Sequence, residues 1–288
     1  LTSTPERRRA PEPTWVSPEG SAPEVPFGPA GWLRIAWRLP VMGVVVFAGL
    51  ALLLAVRLVE RPLFGLRRPV TPFITQAVCR AVFPLMGIAL VRRGSPMQGR
   101  GAIVANHSSW LDIFAINALN RVYFVSKSEV AGWPGIGWLA RATGTVFINR
   151  DARDARLQKE IFEARLRAGH QLCFFPEGTS SDGRRVLPFK PTLFAAFFTH
   201  GLDAILSVQP VSVIYSAPPG RDPRFFGWWG EMGFGTHMLR VLAEGRGGRV
   251  EVVFHAALPV AEAGDRKALA RACETAVRDG LAASGAHA

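Results

Sequence analysis

From Leu39 to Val56 the chain runs for 18 residues, LPVMGVVVFAGLALLLAV, without a charged side chain. A helix needs about 20 apolar residues to cross the hydrocarbon of a bilayer, with a range of about 17–25. The segment therefore predicts a transmembrane or deeply embedded helix. Arg34 and Arg38 precede it, and Arg57, Arg61, Arg67 and Arg68 follow it. Such flanks read as headgroup anchors, with Trp32 and Trp37 in an interfacial belt. The competing reading, a buried helix of a soluble core, is disfavoured by arginines at both ends. Because both flanks are basic, charge gives no orientation. A second apolar stretch, Val70 to Val91, is broken by Gln76, Arg80 and Pro84. It predicts a segment that lies in the interface or re-enters the bilayer.

Residues 1–31 are rich in Pro, Glu, Arg, Ser and Gly and carry the run Arg7, Arg8, Arg9. They predict a disordered arm and do not resemble a cleavable signal, since the apolar run comes too late. Residues 32–93 then form a membrane-anchoring helical segment, and 94–288 a globular domain. The formal charge of +12 calls for an anionic partner, either nucleic acid or an anionic membrane surface. Scattered basic residues and the absence of a recognition motif disfavour nucleic acid. Cys79, Cys173 and Cys273 are far apart with no CxxC pair, which argues against a disulfide framework and a metal site.

After Gly94, short β-rich runs alternate with helical patterns. Strands are expected at Ala102–Ala105, Val122–Val125, Thr145–Ile148, Gln171–Phe175, Leu206–Ile214 and Val250–Phe254. Helices are expected near Trp110–Asn120, Asp151–Ala168, Pro191–His200, Thr236–Ala243 and Arg266–Leu281. The fold class is α/β: a largely parallel mixed sheet flanked by helices, beside an N-terminal helical membrane motif.

Two segments carry chemistry. In Val104-Ala105-Asn106-His107-Ser108-Ser109-Trp110-Leu111-Asp112 a strand ends in Asn-His, and an acid follows five positions later. Five steps along an ideal helix point two side chains about 140° apart. His107 and Asp112 meet only if His107 sits on the strand-to-helix turn and Asp112 on the first helical turn. A carboxylate on one imidazole nitrogen fixes the tautomer and raises the basicity of the other. Such a base takes a proton from a hydroxyl as it attacks a carbonyl. The competing reading is a capping His before a helix-terminal Asp. The second segment, Phe174-Phe175-Pro176-Glu177-Gly178-Thr179-Ser180, follows another apolar strand. A Pro-Gly turn explains Pro176 and Gly178 but not Glu177.

With these segments the chain resembles the glycerolipid acyltransferase family, typified by 1-acylglycerol-3-phosphate acyltransferases. Four blocks appear in order: Asn106-His107-x4-Asp112, Gly144-Thr145-Val146-Phe147-Ile148-Asn149-Arg150, Phe175-Pro176-Glu177-Gly178-Thr179 and Val208-Gln209-Pro210-Val211. They cover roughly residues 100–215, and the first and third together are specific. The resemblance implies that His107 is the base, Asp112 its orienting partner, and Arg150 the ligand of an anionic headgroup. Glu177 and Gly178 hold the acceptor's glycerol part, and Asn106 and Thr179 join the substrate-binding set. Asn149 departs from the charged residue common there, which puts the headgroup in question. Lys127 and Lys190 are candidates for phosphate or carrier contacts. Phe225-Phe226-Gly227-Trp228-Trp229 fits an interfacial patch or ordinary core equally.

The expected reaction is direct transfer without an acyl-enzyme, since no G-x-S-x-G elbow is present. Nor is there a HExxH, a P-loop or a GxGxxG fingerprint. No cofactor is expected; acyl-ACP or acyl-CoA serves as co-substrate. The expected partners are membrane lipids and acidic acyl carrier protein, and the site is expected on the cytoplasmic face of a membrane, the inner membrane if bacterial. Lysophosphatidic acid is the first-choice acceptor, and lyso-ornithine lipid the alternative.

Overall fold

The N-terminal helix α1, Pro29–Phe64, is 36 residues long and contains the whole uncharged run. It is long and apolar enough to cross a membrane, and only 11% of its apolar window is buried within the protein. Val44, Leu52, Leu58 and Leu63 point outward, an arrangement consistent with membrane association. The computed structural model that shows this describes residues 15–21, 26–148, 155–198 and 201–285.

Four of the flanking arginines serve the protein rather than lipid headgroups. Arg34 donates to Ala243 O at 3.0 Å, and Arg38 to Leu242 O at 3.0 Å and Glu244 O at 2.6 Å. These are carbonyls at the end of α6, Phe234–Ala243, where the final turn lacks donors and favours a cation. Arg68 serves Ala142 O at 2.7 Å, at the end of α4, Ile136–Thr143. Arg57 donates to Gly65 O at 2.8 Å and pairs with Glu60. Arg34, Arg38 and Arg68 thus fasten the anchor to the globular part, while Arg57 closes the end of α1 on itself.

The second apolar stretch divides between a helix and a strand. Its first part is α2, Thr71–Met86, packed along α1. A Cβ at Gly49 would lie 2.3 Å from Val78, so that glycine sets the closeness of the two helices. Val82, Phe83 and Met86 are buried in the core. The chain reverses at Gly87, φ +73°, and enters β1, Ile88–Arg93. The sheet therefore begins inside the segment assigned to the anchor, ahead of the expected boundary at 93/94.

The other strands are β2 Gly101–Ala105, β3 Tyr123–Lys127, β4 Val146–Ile148, β5 Gln171–Phe174, β6 Ser207–Ser216, β7 Gly248–Phe254 and β8 Leu258–Pro259. Their order is β1-β7-β6-β2-β5-β3-β4, with β8 paired to β6. From β6 to β4 the strands are parallel. β7 is antiparallel to β6, and β1 runs with β7. The expected largely parallel mixed sheet is what forms.

One face packs against α1, α2, α6 and α3, Leu111–Leu119, through residues such as Ile35, Phe83, Ile116 and Val213. The other is covered by α5, Ala155–Arg167, and α7, Arg266–Ala283, through Leu166, Leu172, Leu269 and Val277. The helix expected at Pro191–His200 is instead a 3-10 helix over Pro191–Phe198, its Phe194 and Phe197 against Phe174. The expected disordered arm is tied down over 15–21. Ser17 is buried and donates to Asp182 at 2.9 Å, while Glu19 pairs with Arg185 at 2.6 Å.

Candidate active site

Parallel strands β6, β2, β5, β3 and β4 bring their carboxyl ends to one edge, where ligands bind in open α/β sheets. His107 follows β2 there. The residue before it, Asn106, copies a strand with its side chain. Its Oδ1 accepts from Val213 N at 2.8 Å and its Nδ2 donates to Val213 O at 2.9 Å. This carries the β2–β6 ladder one step past Ala105↔Val211. Asn106 is fully buried, so it positions His107 and does not reach a substrate as expected.

Four donors converge on Asp112, which is wholly buried. Oδ2 meets His107 Nδ1 at 2.8 Å and accepts from Ser108 N at 2.8 Å and Ser109 N at 3.0 Å. Oδ1 accepts from the Tyr215 hydroxyl at 2.7 Å. An oxygen that already accepts two amides is an acceptor toward the ring as well. Nδ1 therefore carries a proton and Nε2 presents its lone pair. The His107 ring stacks on Phe175 with centroids 4.1 Å apart and planes at 10°. Its carbonyl accepts from Ser181 N at 2.8 Å. The side chain keeps 19% exposure, enough for Nε2 to meet a substrate.

Glu177 follows β5, next to β2. Its Oε1 accepts from His107 N at 3.3 Å, and Oε2 is buried with no partner among the described residues. Burial pushes its carboxyl well above the usual range. The amide of His107 opposes that shift and the charge of Asp112 adds to it. Gly178 has φ +73°, and a Cβ there would stand 2.7 Å from Lys190 Nζ. Lys190 N donates to Pro176 O at 3.0 Å, so the Lys190 stem crosses the third block. Thr179 is half-buried at its edge. Lys127 is exposed at the end of β3, two strands from β2 and roughly 10 Å away by strand spacing. It pairs in register with Ile148, the last residue of β4. Asn149 and Arg150 lie outside the described residues.

Tyr215 was not singled out from sequence. The signal was present: Val211, Val213 and Tyr215 share one face of an apolar strand, and a buried tyrosine hydroxyl needs a partner. Burial and Asp112 raise its phenol well above the usual range, so it remains a donor. Also unforeseen was His237, whose Nδ1 accepts from Trp110 Nε1 at 2.9 Å and steadies the start of α3. The 225–229 cluster resolves toward core: Phe225, Phe226 and Trp229 are buried. Trp228 N donates to Ser108 O at 2.8 Å. Among the described residues no cluster of His, Cys, Asp and Glu is placed to hold a metal.

A family model described as Acyltransferase matches residues 88–214, from the first residue of β1 to within β6. The lyso-ornithine lipid O-acyltransferase of Rhodobacter capsulatus is 58% identical over 269 residues, covering 93% of this chain and 97% of that protein. The chain belongs to the acyltransferase family. The 1-acyl-sn-glycerol-3-phosphate acyltransferase of Neisseria meningitidis is 34% identical over 203 residues, covering 69% of this chain and 77% of that one. The fold of this acyltransferase matches the crystal structure of the 1-acyl-sn-glycerophosphate acyltransferase of Thermotoga maritima. There the TM-score is 0.61 at 23% identity, covering 88% of this chain and 96% of that one.

Proposed function

We propose that this acyltransferase moves a fatty acyl group from a thioester donor, acyl-ACP or acyl-CoA, to the free hydroxyl of a lyso-ornithine lipid. The observation that carries the chemistry is the His107–Asp112 contact with Nε2 left open. Nε2 takes the hydroxyl proton as the oxygen attacks the thioester carbonyl. The tetrahedral adduct collapses with cleavage of the C–S bond. The departing sulfur takes the proton back from the imidazolium, leaving an ester and a free thiol. No acyl-enzyme and no cofactor are needed. Glu177 Oε2, buried beside His107 with no hydrogen-bond partner among the described residues, is a polar group available to the acceptor. Both donors belong to the cytosol, so the site opens on the cytoplasmic side of the membrane.

The acceptor reading is supported by the relative from Rhodobacter capsulatus, which matches over nearly its whole length. Lysophosphatidic acid, the first choice from the motifs alone, becomes the second reading, supported by the relative from Neisseria meningitidis. In either case Arg150 supplies a guanidinium for the headgroup, to a carboxylate in the first and a phosphate in the second. The test is the ratio of kcat/KM for lyso-ornithine lipid to that for lysophosphatidic acid, in wild type and in Arg150→Ala. A wild-type ratio above one is expected, and a ratio well below one reverses the two readings. Acceptor kcat/KM that is unchanged in Arg150→Ala removes Arg150 from the headgroup site.

A further inference from the structure

A cavity of 320 Å³ opens where β6 ends and β7 begins, beside the last turn of α7. Its walls include Arg93, Arg184, Arg249, Glu251, Tyr215 and Ser216. The strand register places Arg249 opposite Ser216, and Glu251 opposite Ile214. Arg93 pairs with Glu251. The guanidinium groups of Arg184 and Arg249 have no ion-pair partner among the described residues. Three guanidiniums against one carboxylate make a cationic hollow, large enough for a substrate group rather than a simple ion.

Two elements join this hollow to the reacting centre. The loop that carries Arg184 also carries Ser181, which donates to His107 O, and it is fixed by the Arg184 N–H to Asp182 Oδ1 bond at 3.1 Å. The end of β6 carries Tyr215, which borders the hollow and whose side chain, on the other face of the sheet, holds Asp112. The hollow lies on the α7 side of the sheet, whereas the lipid-facing α1 packs on the other side. A ligand that enters here approaches the face of the sheet away from α1.

We propose that this cavity binds the phosphate of the thioester donor's phosphopantetheine arm, and so orients the donor across the sheet edge toward His107. The proposal rests on the thioester-donor reading above. Arginine forks suit a phosphate, and in both acyl-CoA and acyl-ACP a phosphate stands at the far end of the arm from the reacting carbonyl. The position of the hollow on the face away from the lipid-facing α1 points to the donor's phosphate rather than a lipid headgroup.

The experiment compares palmitoyl-phosphopantetheine with palmitoyl-pantetheine, which lacks only the phosphate, using full-length enzyme in detergent. Palmitoyl-CoA and palmitoyl-ACP are run alongside to identify the natural source of the phosphate. Wild type should show a lower KM for the phosphorylated donor by roughly tenfold, equivalent to about 1.4 kcal/mol. The double variant Arg184→Ala with Arg249→Ala should lose that discrimination, with acceptor KM and kcat at saturating donor unchanged. Arg184→Lys with Arg249→Lys should restore part of it. A rise in acceptor KM instead, or unchanged discrimination in the double variant, overturns the proposal. No transfer from any thioester by wild type defeats the underlying reading, an outcome the variants play no part in.

Discussion

The Tyr215 hydroxyl donates to Asp112 Oδ1 at 2.7 Å, linking the end of β6 to the first turn of α3 across 103 residues of sequence. The other carboxylate oxygen faces His107, so Tyr215 steadies the group that steadies the base. Tyr215→Phe keeps the ring in its packing and removes one hydrogen bond to a buried carboxylate. A bond to a charged group contributes about 1.5–3 kcal/mol. A fall in kcat of roughly ten- to a hundredfold is therefore expected, with KM for donor and acceptor unchanged. A purely structural role would instead lower the melting temperature and leave kcat per folded enzyme intact.

His107→Ala should lose about 10²–10⁴-fold in kcat, the usual range for a general base. Membrane association and the circular dichroism spectrum should be unaltered, because among the described residues the ring stacks on Phe175 and bonds Asp112 without supporting another element. Asp112→Asn should be similarly impaired. Its side-chain amide would still accept from some of the donors, yet it would favour the wrong imidazole tautomer. Turnover near the wild-type rate in His107→Ala would end the assignment.

Removal of the anchor has a different outcome from the one the sequence boundary suggests. A chain that begins at Gly94 lacks β1 and uncovers the edge of β7. It also lacks Val82, Phe83, Met86 and Ile88, all buried in the core. The expected result is aggregation rather than a soluble domain. Full-length protein should sediment with membranes and stay there in high salt. Release by salt alone would show an electrostatic, peripheral attachment.

Acid should weaken the fold through His237. Trp110 donates to its Nδ1, which must therefore be unprotonated. Burial, reinforced by Arg240, lowers the ring's pKa to about 3. In the unfolded chain it titrates near its ordinary value of about 6.5. Below that value the unfolded state binds the extra proton, so the contribution is complete above pH ~6.5 and is lost progressively as pH falls toward 3. His170, lowered to about 4 by burial, acts in the same direction. Melting temperature measured between pH 7 and pH 5 should fall, and His237→Gln should flatten the slope. The same slope in the variant would contradict this account.

Local spacing made much of this protein legible. An 18-residue uncharged run is enough to specify a helix that seeks lipid, since its length and lack of charge need no distant partner. The alternation after Gly94 gave the parallel sheet, and the five-residue step from His107 to Asp112 gave the strand-to-helix turn. What the spacing could not carry were contacts between segments far apart in the chain. Ile88–Arg93 reads as the tail of an apolar stretch until β7, more than 150 residues later, offers it a ladder. Arg34 and Arg38 look like headgroup anchors until the end of α6 presents carbonyls that lack donors. Asn106 looks like a substrate ligand until Val213 takes both ends of its amide. In each case the residue's chemistry was set by sequence, but its partner was selected by the order of strands in the sheet. Hydrogen bonds and buried charges are satisfied by whatever the fold brings within about 3 Å, and only the tertiary structure decides what that is.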